Sequence, residues 1–124
     1  MNRRRLEILQ WAGLFAGGLV WATQHVLGFG ITQAECSVGG QRWGISNDTW
    51  EGALMGAAAL CVVGAWAASL MVLRATRATS YEDEPPLSRI RFFAIAAVTA
   101  NALFLGMILL DGFASIFDVT CNQA

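Results

Sequence analysis

Three long apolar runs leave this chain of 124 residues very little freedom in what it can fold into. Residues 6–31, 50–73 and 90–117 are each long enough, at about 1.5 Å of rise per helical residue, to cross roughly 30 Å of hydrocarbon. In that medium every backbone N–H and C=O must be paired within the protein, and an uninterrupted apolar run satisfies this as a helix. The sequence therefore predicts an all-α integral membrane protein with three transmembrane helices. Its single domain, residues 1–124, divides into spans at 6–31, 50–73 and 90–117, an outer loop at 32–49, a cytoplasmic loop at 74–89 and an outer tail at 118–124. A hydrophobic content of 56% agrees with that count, and the remaining residues are too few for a separate soluble domain.

Charge orients the spans. Arg3, Arg4 and Arg5 precede the first, and Arg74, Arg77, Arg89 and Arg91 flank the connection between the second and third, whereas the loop at 32–49 carries only Arg42. The positive-inside rule then places the N-terminus and the second loop in the cytoplasm, with the first loop and the C-terminus outside. The apolar run after the opening arginines is too long for a signal-peptide core and lacks a small-x-small cleavage site before Cys36, so it reads as a retained span. Because the charges are segregated, the net charge of −1 gives no reason to expect a nucleic-acid partner.

Cys36 and Cys121 fall just beyond the outer ends of the first and third spans. In an oxidising compartment the pair reads as a disulfide that clasps those two helices and encloses the second. Two independent thiols or a copper(I) site are the alternatives, the latter without supporting Met or His neighbours. Cys61, midway along the second span, reads as an apolar thiol.

Small residues suggest close helix packing. Gly13 and Gly17 form a G-x-x-x-G in the first span, and Gly52, Gly56 and Gly64 share a stripe of the second, opposite Ala53, Ala57, Cys61 and Ala65. Phe92, Phe93, Phe104, Phe113 and Phe117 give the third span a bulkier surface, suited to lipid or to a partner subunit. Trp43 and Trp50 lie where an outer interfacial belt is expected.

Polar residues within the spans are costly unless partnered. Gln10, Thr23, Gln24 and His25 lie on the first helix, Ser69 on the second, and Thr99, Asn101 and Asp111 on the third. His25 and Asp111 sit at similar depth near the outer surface, so a contact between them is geometrically possible. Such a pair could order the bundle, handle protons, contact a quinol, or supply a haem ligand with a carboxylate behind it. One histidine cannot provide both axial ligands of a haem, so a second would come from another chain. Asp48 and Glu51 form a D-x-x-E before an apolar run, which reads as a capping-box variant with Asp48 as N-cap and Glu51 at N3. The stretch SYEDEPP at 80–86 reads as a solvated, proline-terminated loop.

No phosphate-binding loop, dinucleotide fingerprint, HExxH, nucleophile elbow or exposed C-x-x-C is present, so no enzymatic reaction is predicted. Three spans without an internal repeat do not suggest a transporter. A homo-oligomeric channel stays open.

The stretch Gly-Leu-Val-Trp-x-x-Gln-His at 18–25, Cys36 just beyond it, and Ala-Leu-Phe-Leu-Gly-Met-Ile-Leu-Leu-Asp-Gly at 102–112 followed by Cys121 together resemble small three-helix membrane proteins often encoded near bacterial haem-copper cytochrome oxidase genes. This group more often has Gly-Pro before the Trp and a His where Gln24 stands. The resemblance covers most of the chain. It implies an accessory or assembly subunit of a respiratory complex in a bacterial inner membrane, touching lipid and larger integral membrane subunits, with any haem or quinone held in those partners.

Overall fold

The computed structural model describes residues 2–37 and 46–117, and all their regular structure is helical. Helix α1 spans Arg3–Cys36, α2 Asn47–Ala75 and α3 Leu87–Phe117, and each is long and apolar enough to cross a membrane. All three pairs of helices pack against one another, and the short connections make neighbours antiparallel. The helices outrun the predicted spans. Asn2 caps α1, its Oδ1 accepting from Arg5 N at 3.0 Å, and α1 continues to Cys36. The connection between α2 and α3 is held by Arg91, whose Nη1 donates to Thr76 O at 2.7 Å.

Buried positions recur at steps of three and four. They are Leu6, Gln10, Gly13, Gly17, Gln24 and Gly28 on α1; Asn47, Glu51, Ala58, Val62, Ala65, Ser69 and Val72 on α2; and Ile90, Ala94, Ala97, Asn101, Ile108 and Gly112 on α3. That is the spacing of a left-handed coiled-coil seam, repeated on three helices that share one axis. Leu6, Val72, Ile90 and Ala94 fill one end of the seam, and Ala58, Val62 and Ile108 fill its middle, flanked by Trp21, Met55 and Phe104. Larger apolar side chains such as Phe15, Leu60, Phe92, Leu110 and Phe117 point outward. The arrangement inverts the pattern of a water-soluble bundle and suits a lipid surround.

Between the two apolar clusters lies a polar layer. Asn101 Nδ2 donates to Gly13 O at 2.7 Å and to Ser69 Oγ at 3.3 Å, so one amide ties α3 to both neighbours. Gly13 and Gly17 make that approach possible. A Cβ at Gly13 would run into Ser69 Oγ, and one at Gly17 would run into Asn101 Oδ1 and come within 3.1 Å of the Phe104 ring.

Two readings need correction. Gly52, Gly56 and Gly64 do not pack against α1 or α3; a Cβ at any of them would meet nothing within 4 Å among the described residues. They lie beside the three-and-four row that runs through Glu51, Ala58, Val62 and Ala65, not on it. Phe104 is not part of an outward aromatic surface; it turns inward against Gly17, Gly18 and Trp21, with its ring 5.9 Å from the indole.

The register predicts unequal glycines. In the isolated chain, Gly17→Ala should lose about 1–3 kcal/mol by overpacking, while Gly64→Ala should be neutral or gain up to about 1 kcal/mol from helix propensity. Reversible unfolding in mixed micelles measures both, and equal losses would contradict the register.

Candidate functional site

Antiparallel threading brings the C-terminal ends of α1 and α3 and the N-terminal end of α2 to the same end of the bundle. Polar residues from all three helices converge there. About three and four turns of α1 beyond Gly13, Gln24 and Gly28 continue the buried row, with His25 beside them. From α3 comes Asp111, next to the buried Gly112, and from α2 comes Glu51.

His25 and Asp111 meet. Their Nδ1 and Oδ2 atoms are 2.7 Å apart, which joins α1 to α3 directly. The histidine ring also stacks on Trp21, one turn earlier, at 5.8 Å between centroids. The two side chains are 58% and 34% exposed, so the pair lies at the rim of the bundle. Helix propensity plays no part in this contact; it follows from the place each residue occupies beside the buried row.

Glu51 departs from the sequence reading. The N-cap of α2 is Ser46, its hydroxyl 2.8 Å from that of Thr49, and the helix begins at Asn47. Glu51 therefore lies more than a turn inside α2, beyond reach of a capping position, and its residue is fully buried. Asp48 stays in the exposed first turn, where its charge favours the helix N-terminus. Neither Glu51 carboxyl oxygen has a hydrogen-bond partner among the described residues, and neither does Gln24 Oε1. The Thr32 hydroxyl lies close to the carboxyl but outside hydrogen-bond geometry. Gly28 leaves the space that Glu51 occupies, since a Cβ there would stand 3.1 Å from both carboxyl oxygens.

Glu51, Gln24, Gly28, Thr32, His25 and Asp111 line one pocket of about 170 Å³. On the outer side of the His25–Asp111 pair is a shallower apolar hollow, lined by Trp21, Met107, Leu110 and Ala114. The His25–Asp111 contact thus stands between the polar pocket and the apolar hollow and lines both.

No family model, curated protein or solved structure matches the chain. What the site can do rests on its own chemistry.

Among the described residues, no group of three or more His, Cys, Asp or Glu side chains converges as a metal site. Cys36 ends α1, half-buried, and Cys121, Trp43 and the tail at 118–124 lie outside the described residues. Cys61 is an exposed thiol on the outward face of α2. Sequence reasoning missed Glu51 and Gln24 as members of this site. The signal for Glu51 was its place seven residues before Ala58 on the row that continues to Val62 and Ala65, because a carboxylate on the inward row of a membrane helix calls for a partner.

Two outcomes test this geometry. A double-mutant cycle on His25→Ala and Asp111→Ala should give a coupling of about 0.6 kcal/mol, the usual size for a side-chain contact between membrane helices; additive effects would place the pair apart. Gly28→Ala should push the Glu51 carboxyl aside and destabilise the fold by about 1–3 kcal/mol, with most of that loss recovered in Gly28→Ala/Glu51→Ala as measured by unfolding in micelles.

Proposed function

We propose that this chain is a non-catalytic accessory or assembly subunit of a larger membrane-bound respiratory complex of the terminal-oxidase kind, placed in a bacterial inner membrane with its N-terminus inside and its C-terminus outside. The observation that carries this reading is the outward face of α2. Gly52, Gly56 and Gly64 lie open there beside the exposed Ala53, Ala57 and Cys61, leaving a small-residue face that none of the described residues covers. Faces of that kind let the backbones of neighbouring membrane helices approach closely, because packing and backbone contact, not the hydrophobic effect, bring helices together in lipid. The sequence resemblance points to oxidase subunits as the neighbours. A Cys36–Cys121 disulfide at the outer ends of α1 and α3 belongs to the same proposal, as a clasp that holds the bundle's shape during assembly.

A second reading is favoured by one contact. With Nδ1 of His25 engaged by Asp111, Nε2 is the ring nitrogen left for a quinone carbonyl or a haem iron, and the adjacent hollow lined by Trp21, Met107 and Leu110 is apolar. In this reading the chain is a redox-contacting subunit, and the Asp111 carboxylate fixes the imidazole's orientation and tautomer. Any haem would need its other axial ligand from a partner.

Affinity purification of the full chain from native membranes at low detergent tests the first reading. Larger integral membrane subunits should copurify with the wild type, and their recovery should fall at least tenfold for Gly56→Leu, which places a branched side chain on the open face of α2. Recovery of the chain alone, or as a homo-oligomer without other polypeptides, would overturn it. A visible absorption spectrum of the purified complex decides the second reading: a haem band lost in His25→Ala would favour it over the accessory role.

A further inference from the structure

The pocket at the end of the bundle contains a buried acid that neither role accounts for. Glu51 is fully buried and both its oxygens are unpaired among the described residues, and Gln24, 3% exposed and also lining this pocket, has an Oε1 without a partner among them. Asn47, the other unpaired amide near this end of α2, does not line it. Among the described residues, every buried unpaired atom of the pocket's lining residues is therefore an acceptor, although Thr32, Gln33 and Ser115 bring hydroxyl and amide groups to its wall. An occupant must supply a donor or a positive charge, because an ionised carboxylate without either is strongly disfavoured away from water.

A metal ion is the poorer fit. A hard cation takes several oxygen ligands at about 2.3–2.6 Å, and no three acidic, His or Cys side chains converge here among the described residues. A proton requires only one oxygen. It turns the Glu51 carboxyl from a pure acceptor into a group with one O–H donor, the complement to the pocket's unpaired acceptors. The space of about 170 Å³ beside the carboxyl also has room for several waters.

We propose that Glu51 is a proton-exchange site, taking up a proton from water through the pocket lined by Gln24, Thr32 and Asp111 and returning it by the same route. Uptake forms one O–H bond on a Glu51 oxygen and breaks one O–H bond of a hydronium ion, leaving water; release is the reverse. The titratable groups that face it are His25 from α1 and Asp111 from α3, while Asp48 on α2 lies in the exposed first turn. Since His25 and Asp111 are paired with each other, Glu51 is the acid in the pocket without a hydrogen-bond partner among the described residues. Gly28 keeps the site open by having no side chain to press on the carboxyl. The inference does not depend on the accessory reading, since a proton can be exchanged by the chain alone or within a complex.

Infrared difference spectroscopy of the purified full chain in liposomes, titrated between alkaline and acid pH, tests it. As pH falls, a C=O stretch of a protonated carboxyl in an apolar setting should grow. It should shift in D2O, vanish in Glu51→Gln and survive in Asp111→Asn. Labelling glutamate carboxyls with carbon-13 in a variant whose other glutamates, Glu7, Glu35, Glu82 and Glu84, are replaced by glutamine assigns the band to Glu51 without substituting it, so the test holds even where Glu51→Gln does not fold. The proposal is overturned by a band that ignores the glutamate label, by one that does not shift in D2O, or by one removed at constant pH by sodium chloride but not by choline chloride, which would make the occupant a metal cation.

Discussion

A single side-chain amide ties this bundle together. In lipid the hydrophobic effect gives helices no reason to prefer one another over acyl chains, so their association depends on van der Waals fit and on polar groups that need partners. Asn101 supplies the second. Its Nδ2 reaches a backbone carbonyl of α1 and a hydroxyl of α2 from α3, so rotating any one of the three helices breaks a contact that nothing apolar can replace. Gly13 and Gly17 supply the first, because only a residue without Cβ lets α1 come close enough for Gly13 O to accept that bond. The rotation of each helix, and with it the inward placement of Glu51 and Gln24 further along the same rows, follows from this layer.

The fold class was legible and the helix faces only in part. Length and apolarity sufficed for three helices that can span a membrane, because hydrocarbon leaves backbone polar groups few alternatives. Charge distribution, by contrast, speaks only to orientation in the membrane. On the first helix the G-x-x-x-G at Gly13 and Gly17 coincides with the buried row. On the second, the glycines at 52, 56 and 64 resemble such a motif and fall off it. Residue size alone cannot distinguish a small residue that admits a neighbouring backbone from one that merely faces outward. The 3–4 spacing can: counting from Ala58 through Val62, Ala65, Ser69 and Val72 gives the row, and extending it backwards reaches Glu51.

Glu51 also shows why a local motif misled. The spacing between Asp48 and Glu51 fits a capping box, but that motif requires the acid to fold back toward the helix start at N3. With Ser46 at the N-cap, Thr49 occupies N3 and Glu51 falls beyond it, so its side chain follows the helix's inward face. A two-residue difference in where a helix begins converts a surface carboxylate into a buried one. Sequence patterns fix helix ends less well than helix faces, since several polar residues in a row can each serve as a cap.

Asp111 links the two halves of the site. It lines the polar pocket with Glu51 and the apolar hollow with Trp21, and it holds His25 between them. An acid confined to the interior could order a bundle, and one confined to the surface could meet a partner, but one that borders both makes each sensitive to the other. Removing the His25 contact would leave Asp111 free to turn toward Glu51, placing two carboxyls in one small pocket where both cannot carry charge. The His25–Asp111 contact therefore joins two helices at the one place where both spaces meet, so a change in its geometry alters the walls of both.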